Sequence, residues 1–84
     1  KKMISGLSLM RNVKEGDLVY LPANVTLVQK HRDGSVLRHT TTDKPNHVLL
    51  IKKKSRDLHD GIHPCEVLYN SERWLVSNMD LYTL

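Results

Sequence analysis

Apolar residues in this chain alternate with polar ones over short runs, and no stretch repeats them at the three-to-four spacing of a helix. The first clear run is "GDLVYLP" (residues 16–22). Gly16-Asp17 is a turn signal, and Leu18-Val19-Tyr20-Leu21 is rich in strand formers. Pro22 has no N–H for a ladder and marks a break or an edge. Strand character resumes at Val25-Thr26-Leu27-Val28. Alternation puts Val19 and Leu21 on one face, and Val25 and Leu27 on one face after the break.

Residues 29–46 are polar, with turn signals at Asp33-Gly34 and Lys44-Pro45-Asn46. That is long for a structureless loop in so short a chain, so a hairpin near Val36-Leu37 is expected. "HVLLIKK" (47–53) reads as the clearest strand, with Val48 and Leu50 on one face and Leu49 and Ile51 on the other. A charged loop follows, closed by Asp60-Gly61. A strand over 64–69 then places Cys65, Val67 and Tyr69 on one face. Asn70-Ser71 reads as a tight hairpin turn, and 73–76 as the return strand with Trp74 and Val76 together. A three-residue break at 77–79 and a last short strand at 80–83 complete the pattern.

Short strands separated by turn signals, with no helical period, predict an all-β fold. A sheet this small controls its edges by curling. The expected architecture is a small five-stranded antiparallel barrel over residues 13–84, preceded by an arm over 1–12. Its expected core holds Val19, Leu21, Val67, Trp74, Val76 and Leu81.

The same segments carry a family resemblance. "GDLVYLP", then a "VLLI" strand, then "VLYNSERWLVSNMDLY" resembles the small Src-homology-3-like (SH3-like) barrels. The closing piece is the most specific: Trp74 and Val76 in a strand, a break at Ser77-Asn78-Met79, then Asp80-Leu81-Tyr82. The arrangement is similar to short uncharacterised proteins encoded by tailed bacteriophages, including those of marine cyanobacteria. The resemblance covers residues 13–84 and implies fold more than task, because such barrels serve many unrelated functions. Proline-rich peptide binding, known for signalling domains of this fold, is disfavoured. The chain has four aromatics (Tyr20, Tyr69, Trp74, Tyr82), and its long polar stretch is basic where those domains have an acidic loop. An aromatic cage for methyl-lysine is disfavoured for the same shortage.

Composition narrows the picture further. Eighty-four residues make at most one domain with a small core. The single cysteine, Cys65, excludes an internal disulfide, and no apolar run approaches the length of a membrane helix. No membrane partner is expected, and the expected location is the host-cell cytoplasm or a virion. The chain begins with Lys1 rather than Met, so Met3 and Met10 are candidate biological starts.

A net charge of +4 admits a polyanion partner. Lys52, Lys53, Lys54 and Arg56, with Lys30, Arg32 and Arg38, are the candidate contacts. Lysines at a strand end also guard against edge pairing, and that plainer role is favoured. "HDGIHPC" supplies His59, Asp60, His63 and Cys65, the right atom types for zinc but in no standard spacing. Cys65 beside His63 is also a conceivable nucleophile, yet no third member or oxyanion donor accompanies it. A core cysteine with nearby surface histidines is favoured. Trp74 is expected inside with its indole N–H bonded at the rim; Tyr20 and Tyr82 are expected outside. The arm offers Met3, Ile4, Leu7, Leu9 and Met10 as a docking segment.

The functional expectation is a non-catalytic protein-interaction or virion-associated structural module, with no cofactor and no metal. A protein partner or self-association is expected. The alternative is a small basic nucleic-acid-binding barrel.

Overall fold

A computed structural model describes residues 13–53 and 63–84. The 1–12 arm, Lys54, Arg56, His59 and Asp60 lie outside the described residues. Six strands form one antiparallel sheet: β1 (Leu18–Leu21), β2 (Thr26–Lys30), β3 (Val36–Thr41), β4 (Asn46–Lys53), β5 (Pro64–Tyr69) and β6 (Glu72–Ser77). Their spatial order is β1-β4-β5-β6-β2-β3. The all-β expectation holds. Among the described residues the strand count is six rather than five, and the ladder is open, with β1 and β3 at its two ends.

The additional strand is β3, in the polar stretch where a hairpin near Val36-Leu37 is expected. Its sequence VLRHTT buries no face; five of its six residues are exposed. It forms by pairing with β2 across a turn that supplies its own bonds. His31 N–H donates to Ser35 O (2.9 Å), Gly34 N–H donates to His31 O (3.0 Å), and Gly34 takes φ 93°. Asp33 Oδ1 accepts from the Ser35 N–H (2.9 Å) and hydroxyl (2.7 Å), and these bonds hold its carboxyl below the usual range. The β5–β6 turn is as expected: Asn70 (φ 51°) and Ser71 (φ 64°) both adopt the left-handed conformation of a two-residue hairpin.

Strand order and linker length together force the sheet to curl. β1 and β2 are consecutive in sequence but four strand spacings apart in the sheet, about 19 Å if it were flat. The link from Leu21 to Thr26 spans at most about 17 Å when fully extended. It is not extended, since Asn24 sits at φ 63°. The two sides of the sheet must therefore approach each other. The chain end narrows the gap: Tyr20 N–H donates to Tyr82 O (2.8 Å) and Tyr82 N–H to Tyr20 O (3.0 Å), an isolated bridge on the outer side of β1. A full last strand over 80–83 does not form. Asn78–Asp80 instead makes a 3-10 turn, capped by Ser77 Oγ accepting the Met79 N–H (3.1 Å).

The curl encloses Val13, Val19, Leu21, Val25, Leu27, Val48, Leu50, Cys65, Val67, Trp74, Val76 and Leu81, which include all six expected core residues. Tyr69, expected on the Cys65 face, is partly buried against them. One feature of β4 decides which lysine faces this core. Leu50 pairs with Val67, but the next pair is Lys52 with Glu66, so Ile51 is an extra residue, a β-bulge. Without it Lys52 would oppose Cys65 and point inward. The bulge places Lys53 there instead, one residue nearer the end of the strand, where it is half-buried and its Nζ donates to Val13 O (2.9 Å).

Candidate interaction surface

The outward face of the sheet is apolar where a solvated face would be polar. Leu18 pairs with Leu49, and Leu49 with Leu68, so three leucines stand side by side across β1, β4 and β5. Their chain neighbours Val19, Val48, Leu50 and Val67 are buried on the other face, which fixes the leucines outward. Leu18 is 53% exposed and Leu68 40%. Further across, Val28 of β2 opposes Leu75 of β6, which stands outward between buried Trp74 and Val76. Glu66 and Arg73 make the polar break in this surface and approach each other at 3.8 Å. No part of this row was identified as a site from sequence, although Leu18 and Leu68 each alternate with residues expected inside, and Leu49 with Val48 and Leu50.

The described basic residues do not assemble into one patch. Arg38 of β3 is drawn inward: its Nε donates to Gln29 Oε1 (2.8 Å), it pairs with Glu72, and its guanidinium lies 5.3 Å from the Trp74 ring centroid. Gln29 Nε2 donates to both Glu72 Oε1 (3.2 Å) and Arg73 O (3.0 Å). The Gln29 bond first, and then Arg38, hold the Glu72 carboxyl below its ordinary range. Lys53 is committed to Val13 O, and Lys52 stands opposite Glu66. Arg32 is exposed in the β2–β3 turn, strands away from Lys52. Of the seven candidate polyanion contacts, Arg38 and Lys53 thus have internal partners, and Lys54 and Arg56 lie outside the described residues.

Cys65 is fully buried, and burial pushes its thiol up to about 11, against a small opposing effect of Lys53. A nucleophile needs the opposite shift; Cys65 sits in the core, the role favoured from the sequence. His63 precedes β5; its backbone N–H donates to Asn78 Oδ1 (3.0 Å) and its carbonyl accepts the Asn78 N–H (3.0 Å). Among the described residues no three His, Cys, Asp or Glu side chains come together as a metal set. Because the folded thiol titrates above an ordinary thiol, its contribution to stability is present below the ordinary value and is lost as pH rises toward 11. The native chain is therefore expected to resist a thiol reagent at about pH 8 and to react at once in denaturant. Immediate labelling of native protein would place the thiol at the surface instead.

Trp74 is buried, with Nε1 donating to Tyr69 O (3.2 Å), as expected. Tyr20 and Tyr82, expected outside, are half-buried. Their rings meet edge-on at 6.3 Å, and Tyr20 also lies 6.2 Å from His47. Among the described residues, no helix is long and apolar enough to cross a membrane. Comparison with protein families, curated proteins and solved structures finds no match to this chain.

Proposed function

We propose that the chain is a non-catalytic protein-interaction module, built on the plan of a small Src-homology-3-like barrel and virion-associated. The observation that supports this best is the outward row Leu18–Leu49–Leu68. A sheet with one solvated face alternates apolar-in with polar-out. Here the outward side also carries leucines, which fits a face covered by a protein partner presenting apolar side chains. The barrel plan is supported by the short β1–β2 link and the Tyr20–Tyr82 bridge. The bacteriophage part, with action in a virion or the host-cell cytoplasm, rests on the sequence resemblance alone. The 1–12 arm remains in this reading as a second docking element.

Panning a random peptide library against the immobilised chain tests the proposal. Selected peptides are expected to lose at least about tenfold in affinity when Leu18→Glu or Leu68→Glu puts a charge into the row. Peptides indifferent to both variants would overturn the proposal. So would micromolar, steeply salt-dependent binding of labelled DNA or RNA with no peptide selected, which would favour the nucleic-acid alternative.

A further inference from the structure

The two ends of the sheet are not alike. Among the described residues, the outer side of β1 is bridged by Tyr82, whereas β3 pairs with β2 alone. Natural sheets guard such an edge with charge, proline or a bulge. In β3 the guards are weak. The strand has no proline, and its one formal charge, Arg38, is turned back onto Glu72 and the Trp74 ring. A bulge exists, because Gln29 pairs with Arg38 and Lys30 with Val36, but it falls at Leu37 near the start of the strand. From Arg38 to Thr41 the strand is regular and largely exposed.

Which backbone groups the edge offers follows from the ladder. Thr42 N–H donates to Val25 O (2.9 Å), so Thr42, Thr40 and Arg38 turn their polar groups toward β2 in alternation. The N–H and C=O of His39 and Thr41 then face outward. An antiparallel partner must engage those two residues.

We propose that β3 is a self-association edge, pairing antiparallel with β3 of a second copy about a two-fold axis centred on His39. Two-fold pairing opposes residues of the same face, so the centre must be a residue position. A centre at Arg38 sets like charges directly opposite and is disfavoured. A centre at Thr40 sets Arg38 against Thr42, which is buried and bonded into its own subunit. The centre at His39 sets Arg38 against Thr40 of the second copy, with no like charges opposed. It also brings Thr41 over Leu37, which is 51% exposed. This pairing is carried by the edge and is independent of the leucine row.

Sedimentation of the whole chain tests it. The wild type is expected to run as a dimer, and His39→Lys, which opposes two ammonium groups at the axis, as a monomer with an unchanged far-ultraviolet spectrum. Thr41→Lys serves as the second edge variant if the first fails to fold. His39→Cys is expected to form a disulfide-linked dimer under mild oxidation, because facing residues of such a pair lie about 5.5 Å apart between Cα atoms, within disulfide range. Buried Cys65 does not compete. A wild type that stays monomeric at the highest soluble concentration overturns the proposal, as does a dimer that survives both lysine variants. Cross-linking by Thr40→Cys but not by His39→Cys would overturn the register.

Discussion

Trp74→Ala is expected to lose about 3–5 kcal/mol of stability, the usual cost of removing a large aromatic from a core. For 84 residues the whole folding free energy is roughly 4–13 kcal/mol at about 0.05–0.15 kcal/mol per residue, so this one truncation removes much of it. Three contributions act together. The ring is 6% exposed and packs opposite Val67 on the neighbouring strand. Its N–H satisfies Tyr69 O near the β5–β6 hairpin. Its outer side receives the Arg38 guanidinium, which Glu72 and Gln29 hold in place. The ring thereby links β5 and β6 to the β2–β3 hairpin, where the β2–β6 ladder is only one pair long. Thermal unfolding followed by circular dichroism should show a midpoint lowered by more than about 12 °C, or no cooperative transition. A variant within about 1 kcal/mol of wild type would mean that the indole is not part of the core.

Much of this arrangement was legible because local pattern and burial agree. Val19, Leu21, Val67, Trp74, Val76 and Leu81 were assigned inside from alternation alone, and all six are buried. Asn70-Ser71 announced its hairpin because few residue types tolerate two successive positive φ values. The misses are of another kind. β3 has no buried face, so hydrophobic alternation carries no signal for it; its strand state comes from pairing with β2. The bulge at Ile51 is a ladder property, and without it Lys52 and Lys53 were read as equivalent surface charges. Arg38 looked like a free cation because Glu72 and Trp74 are more than thirty residues away in sequence. The leucine row needs the β1–β4 and β4–β5 registers before Leu18, Leu49 and Leu68 become neighbours. A run of four apolar residues in "HVLLI" gave a partial sign that both faces of β4 are apolar.

Thr42→Val is expected to cost about 2–4 kcal/mol, although the two side chains have nearly the same shape. Thr42 is 1% exposed, at the point where β3 meets the link from β1 to β2. Its hydroxyl donates to Pro22 O (2.7 Å) and accepts the Val25 N–H (3.0 Å). Its backbone completes the junction, with Asn24 N–H donating to Thr42 O (2.8 Å) and Thr42 N–H to Val25 O (2.9 Å). Pro22 lacks an N–H and Asn24 takes a left-handed turn, so the link cannot satisfy itself as a regular strand. The hydroxyl substitutes for the missing ladder and pins the crossing that makes the sheet curl. Valine would leave both the Val25 N–H donor and the Pro22 O acceptor without their hydroxyl partner. Thr42→Ser keeps the hydroxyl and loses only a methyl group, about 1 kcal/mol. The expected order of stability is therefore threonine, then serine, then valine, read from denaturant midpoints with unchanged slope. If valine equals or exceeds serine, packing rather than the two hydrogen bonds holds the crossing, and the link would be free to tolerate other sequences.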